Sequence, residues 1–218
     1  MFKVSSFKFQ EKGITLIEIV VVIVIITIFT TILIVNFPNM QRQFALSRVA
    51  YKLAQDLRRA QDFGLSGVLT TDGAGNDITV AGYGVYVNPN QSATTTQYII
   101  YADVPDGDPT HDQTYNGCQN YQSCLCGSET APASDCVVEI IDISKDNPSL
   151  YIKRVDNIEN TSIGTSINFS PPNPTTTVSN ICLSCADYTR VGIVLGLTSG
   201  SSSTRTVWVS TTGLVSVQ

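Results

Sequence analysis

From Ile14 to Val35 the chain reads ITLIEIVVVIVIITIFTTILIV, 22 residues with one charge, Glu18. As a helix this run would extend about 33 Å, enough to cross a hydrocarbon core of ~30 Å. Its β-branched residues lower helix propensity in water. In lipid, however, the backbone must satisfy its own hydrogen bonds, and helix is the only answer open to a single segment. No second run approaches this length. Lys3, Lys8 and Lys12 stand ahead of it against Glu11, so residues 1–13 are expected on the cytoplasmic side and the remainder across the membrane. A secretory signal would have a shorter apolar region, of about 7–15 residues, closed by a small-residue cleavage site, and no such site follows before Pro38. A plain anchor and an anchor trimmed at its front remain.

Two features favour trimming. A carboxylate in the first turns of an apolar run costs a few kcal/mol in lipid unless it finds a partner, which makes Glu18 a functional candidate. Gly13 stands directly before the run and after Lys12. The string Lys12-Gly13-Ile14-Thr15-Leu16-Ile17-Glu18 resembles the prepilin cleavage and methylation motif of the type IV pilin and pseudopilin family. The resemblance covers about 30 residues, and it departs from the family only in having Ile where Phe is commoner, at position 14. It implies that prepilin peptidase, a membrane aspartyl peptidase, cuts after Gly13, and that the new amino terminus at Ile14 is methylated. Glu18 would then be an assembly residue whose carboxylate meets the Ile14 ammonium of a neighbouring subunit. The implied partners are other pilin or pseudopilin subunits and the inner-membrane assembly platform.

Beyond Pro38, which should kink or break the helix, Phe44, Leu46, Val49, Ala50, Leu53, Leu57 and Ala60 recur at helical spacing among charged residues. The pattern predicts an amphipathic helix capped at Gly64 or Gly67. From Leu65 the texture changes to short runs rich in Val, Ile, Thr and Tyr, separated by turn residues. Ile78–Val87, Gln97–Val104, Cys136–Ile143, Leu150–Val155, Ile163–Phe169, Arg190–Leu197, Thr204–Ser210 and Leu214–Val217 read as strands. The expected fold is α+β, a long N-terminal helix packed on an antiparallel β head of one sheet or two small ones. The expected division is 1–13 leader, 14–35 transmembrane helix, 36–64 stalk helix and 65–218 exported head. The Leu53–Asp62 stretch and the final hairpin, with Trp208 and Thr212-Gly213-Leu214-Val215, resemble GspH/FimT-type minor pseudopilins. The implied function is a minor pilin or pseudopilin of a type IV pilus or type II secretion pseudopilus.

Residues 65–218 hold five basic against fourteen acidic residues, a net −9. A nucleic-acid binder needs clustered Lys or Arg to neutralise phosphates, and the head offers Arg205 with little around it. Nucleic acid is therefore disfavoured as a partner. A membrane-anchored adhesive or DNA-binding module is the alternative function. The one histidine, His111, excludes a multi-histidine metal site. No nucleophile elbow, phosphate loop or HExxH string accompanies it, so the chain does not read as an enzyme.

Cys118, Cys124, Cys126, Cys136, Cys182 and Cys185 all fall in the head, and an even number in an exported domain suits disulfides. Their pairing is open, since six cysteines allow 15 connectivities. Cys182 and Cys185 also have the spacing of half a zinc knuckle. Asp103, Asp106, Asp108 and Asp112 gather beside a turn glycine, a loop that either binds calcium or is simply a solvated acidic turn. No other cofactor is expected.

Overall fold

The computed structural model describes residues 13–71, 76–90, 95–104, 113–117, 121–126, 135–159, 164–171, 175–181, 189–198 and 203–218. One helix, α1 (Leu16–Ser66), runs for 51 residues, and the chain divides into two compact units, residues 1–41 and 42–218.

In the first unit the apolar side chains face outward, from Leu16 at 81% exposure to Val35 at 71%. The polar side chains there turn back on the helix. Thr27 donates to the Val24 carbonyl, Thr30 and Thr31 donate to carbonyls one turn back, and Asn36 Nδ2 donates to the Ile32 carbonyl at 2.9 Å. Pro38 lies inside the helix, which continues to Ser66; of the expected kink or break, the break does not occur. Proline deletes one rung of the hydrogen-bond ladder, that of the Ile34 carbonyl, while the turns on either side keep theirs.

In the second unit α1 buries one stripe: Leu46, Val49, Ala50, Leu53, Ala54, Leu57, Ala60 and Gly64, at three- and four-residue steps. Gly64 is not a cap. A Cβ there would lie 2.3 Å from the Phe169 carbonyl oxygen, so glycine lets helix and strand approach closely. The helix ends at Ser66, and Gly67, with φ +59°, supplies the left-handed residue beyond it.

The strands follow as β1 (Thr70–Thr71), β2 (Asp77–Ile78), β3 (Gly82–Val87), β4 (Gln97–Asp103), β5 (Cys136–Asp142), β6 (Leu150–Asp156), β7 (Thr165–Ser170), β8 (Thr175–Val178), β9 (Arg190–Leu197), β10 (Thr204–Ser210) and β11 (Val215–Val217). They form three antiparallel sheets among the described residues: the β1-β2 ribbon, a four-stranded sheet ordered β11-β10-β9-β6, and a five-stranded sheet ordered β5-β4-β3-β7-β8. The expected Ile78–Val87 strand is interrupted, and β8 was not expected. Both larger sheets share one core with the helix stripe, including Val85, Ile100 and Ile167 from one sheet and Ile152, Ile193 and Val207 from the other. The α+β expectation holds.

Strand β4, between β5 and β3, is buried on both faces. Tyr98 and Ile100 join the helix-side core, while Ile99 and Tyr101 pack on the other face with Tyr115, Tyr121, Cys124 and Val137. This second, smaller core is roofed by segments 113–117 and 121–126. Nothing in their polar, turn-rich sequence signals it.

Candidate functional site

The start of α1 carries the residues of the motif. Glu18 N–H donates to the Thr15 carbonyl at 3.1 Å and to Thr15 Oγ1 at 3.4 Å, and Ile19 N–H donates to the same carbonyl at 3.3 Å. Thr15 is therefore the N-cap and Glu18 the third helical residue, the Thr-x-x-Glu spacing of a capping box. Motif matching alone does not single out Thr15. Its sequence signal is a Thr three residues ahead of a Glu before an apolar run. The Glu18 carboxylate also lies in the first turn of the helix, at the positive end of its dipole.

Neither effect supplies a counter-charge. Glu18 is exposed, and none of the ion pairs among the described residues includes it. Ile14 precedes the helix. Gly13 has no left-handed φ, and a Cβ built on it would meet nothing within 4 Å. Among the described residues, no contact or backbone angle requires glycine at this position. Lys3, Lys8, Glu11 and Lys12 lie outside the described residues.

In the head, Cys126 and Cys136 form a disulfide that ties the second roof segment to the start of β5. Beside it, Cys126 N–H donates to the Val137 carbonyl at 2.9 Å. Cys124 is also disulfide-bonded. With one pair fixed, four cysteines remain and allow three connectivities. Cys118, Cys182 and Cys185 lie outside the described residues.

Next to this disulfide, Asp135 is 1% exposed and accepts from Val104 N–H at 3.1 Å and Asn116 N–H at 3.0 Å. Tyr115 N–H donates to Ser166 Oγ at 2.8 Å. These bonds pin the roof to β4 and β7. Burial pushes the Tyr115 phenol above its usual value, with smaller contributions from Tyr121 and Asp135.

Asp103, the first residue of the candidate calcium loop, is 3% exposed in β4 and accepts from Asn168 Nδ2 at 2.7 Å. Asp106, Asp108, His111 and Asp112 lie outside the described residues. Arg205, the head's candidate phosphate contact, is exposed on β10 and reaches Ser47 Oγ of α1 at 3.4 Å. Among the described residues no group of three His, Cys, Asp or Glu side chains is arranged to hold a metal.

Residues 8–34 match the family model described as the prokaryotic N-terminal methylation motif. No curated protein and no solved structure matches the chain. The matched segment contains Gly13, Ile14, Thr15 and Glu18 and the N-terminal part of Leu16–Ser66, the one helix among the described residues that is long and apolar enough to cross a membrane. Proteins bearing this motif are structural rather than catalytic, are substrates of prepilin peptidase, and assemble with other pilins. The match covers 27 of the 218 residues, so the likeness to type IV prepilins and pseudopilins rests on the N-terminal motif and the apolar helix that it opens, ahead of an antiparallel head.

Proposed function

We propose that the chain is a structural filament subunit, a minor pilin or pseudopilin of a type IV pilus or a type II secretion pseudopilus. It enters the inner membrane with residues 1–13 in the cytoplasm, loses them to prepilin peptidase after Gly13, and is methylated at Ile14. It then leaves the bilayer for the filament through the assembly platform. Glu18 acts as the assembly residue. In a bundle of apolar helices, a neighbour shifted along the axis brings its Ile14 ammonium to this carboxylate and neutralises both charges. An uncompensated charge in such a bundle costs several kcal/mol, so the pairing recruits the subunit and sets its register.

The observation that carries this reading is Glu18 itself, a carboxylate in the first turn of an apolar helix with no ion-pair partner among the described residues, inside a segment matching the methylation motif. Among the described residues nothing crowds position 13, and recognition by a peptidase accounts for a glycine there.

The test is made in cells that contain prepilin peptidase. Intact mass of the membrane-extracted protein should show a chain beginning at Ile14, one methyl group heavier. Glu18→Ala should be processed and folded normally and be missing from sheared filaments. A full-length product, or incorporation of Glu18→Ala at the wild-type level, would refute the corresponding half of the proposal.

A further inference from the structure

Asn116-Gly117 is the one Asn-Gly step in the chain, and it lies in the first roof segment. Such a step can close on itself, because the backbone nitrogen after an asparagine is within reach of the side-chain amide carbon. A glycine leaves that nitrogen unshielded by any Cβ. The fold itself demands the glycine, since a Cβ at position 117 would lie 2.6 Å from atoms of the Tyr115 ring. Asn116 is exposed, so water reaches it. Among the described residues no hydrogen bond engages the Gly117 N–H.

One residue meets this step twice. Asp135, 1% exposed, accepts from the Asn116 N–H through Oδ2 at 3.0 Å, and its own N–H donates to Asn116 Oδ1 at the long distance of 3.5 Å. The carboxylate therefore stands one peptide unit from the attacking nitrogen. The Asp135 N–H faces the oxygen on which negative charge would develop during attack. A base in reach and a donor aimed at developing charge are the two devices that lower the barrier to such a step.

We propose that Asn116, Gly117 and Asp135 form a self-modifying site at which the folded protein speeds its own deamidation. The Gly117 nitrogen bonds to Asn116 Cγ and gives its proton to the Asp135 carboxylate. The Cγ–Nδ2 bond breaks, and Nδ2 takes up that proton and leaves as ammonia. Water then opens the cyclic imide, at the side-chain carbonyl to give aspartate or at the main-chain carbonyl to give isoaspartate. One water is consumed, one ammonia is released, and nothing is oxidised or reduced. Either product places a new carboxylate beside Asp135, and isoaspartate also adds a methylene to the main chain between Tyr115 and Gly117. Both changes weaken the bonds by which Tyr115 and Asn116 pin the roof, so the roof loosens irreversibly with the age of the molecule.

The experiment incubates the full chain, extracted from membranes in detergent, at neutral pH beside a second sample unfolded in guanidinium. Mass spectrometry of the peptide around residue 116 follows the conversion of amide to acid. The folded chain should convert faster by about tenfold or more, a modest share of the ~10²–10⁴ that positioned proton transfer contributes. Asp135→Asn keeps an acceptor for the Asn116 amide but has no base, and its conversion should slow by a similar factor. A residue that only held the loop would act the other way, since a weakened loop flexes and converts faster. Hydrogen exchange at Val104 and Tyr115 shows whether the variant keeps its roof; should it be lost, the comparison of folded with unfolded wild-type chain decides alone. Asn116→Asp, standing in for the product, should raise exchange at the Tyr115 amide. Conversion no faster in the folded chain than in the unfolded one, or faster conversion in a roofed Asp135→Asn, would overturn the proposal.

Discussion

The Tyr98 hydroxyl donates a 2.6 Å hydrogen bond to Asp56 Oδ2, joining β4 to the flank of α1 across the edge of the main core. Tyr98 is fully buried, and its hydroxyl adds a polar tie to the apolar contact between strand and helix. Tyr98→Phe keeps the ring and removes the tie. A hydrogen bond to a charged acceptor contributes ~1.5–3 kcal/mol, and the lower end applies here because water reaches Asp56. Chemical denaturation should show a reduced midpoint with an unchanged slope.

The same tyrosine fixes the alkaline limit of stability. Burial first, and the Asp56 carboxylate second, push its phenol well above the usual 10.0. Tyr115 is shifted the same way, mainly by burial. Both are neutral acids in the folded state with raised values, so their contribution is complete below pH ~10. Above that the unfolded chain releases protons that the folded chain retains, and stability falls as pH climbs toward the folded values. Ellipticity and tyrosinate absorbance followed together should change in one step above pH ~10. Early tyrosinate absorbance from Tyr98 or Tyr115 with the fold intact would contradict this.

Gly64→Ala separates helix propensity from packing. In an exposed helix the change would stabilise by ~1 kcal/mol. Here the new methyl would overlap the Phe169 carbonyl oxygen at 2.3 Å. Forcing that contact apart costs ~1–3 kcal/mol, so the expected outcome is a net loss of thermal stability. A rise in melting temperature would mean that α1 and β7 can separate freely.

Cys126→Ser with Cys136→Ser opens the loop that ties the roof to β5. Loss of a native disulfide costs ~2–5 kcal/mol in a small exported domain. Hydrogen exchange should rise first at Val104, Tyr115 and Asn116, whose amides are bonded within the roofed region. Residues of the helix-side core, such as Leu53 and Ile193, should stay protected. In the wild-type protein, alkylation without reductant should leave Cys124, Cys126 and Cys136 unlabelled.

The parts of the chain that could be read from sequence are those in which one local pattern dominates. The apolar run, the three- and four-residue spacing from Leu46 to Ala60, and alternation in strands such as Thr204–Ser210 depend on period alone. Glu18 was visible because a charge in such a run is costly. β8 was hidden because its TTTV follows three prolines in four residues at 171–174 and pairs only as the outer neighbour of β7. β4 reads as a plain apolar strand, yet its two faces serve different cores, and which loop covers Ile99 and Tyr101 is a tertiary fact. The Cys126–Cys136 pairing is of the same kind, since it depends on a bridge between Leu125 and Val137 that local sequence does not encode. Of the kink or break read at Pro38, the break is absent, because one missing rung does not outweigh intact turns on both sides.

The order in which strands alternate between the two larger sheets has a kinetic consequence. β3, β4 and β5 begin the five-stranded sheet, β6 belongs to the other, β7 returns to lie beside β3, and β9 supplies the neighbour that β6 lacks. Val87 thus waits for Thr165, and Leu150 waits for Leu197. Contacts so distant along the chain make folding slow, because loop closure must precede any gain from pairing. As the chain emerges from its N-terminus, the helix stripe from Leu46 to Gly64 is made early and covered late. Until β9 and β10 arrive, that stripe is a sticky, half-dressed surface, and contacts with other partly folded chains compete with completion of the core.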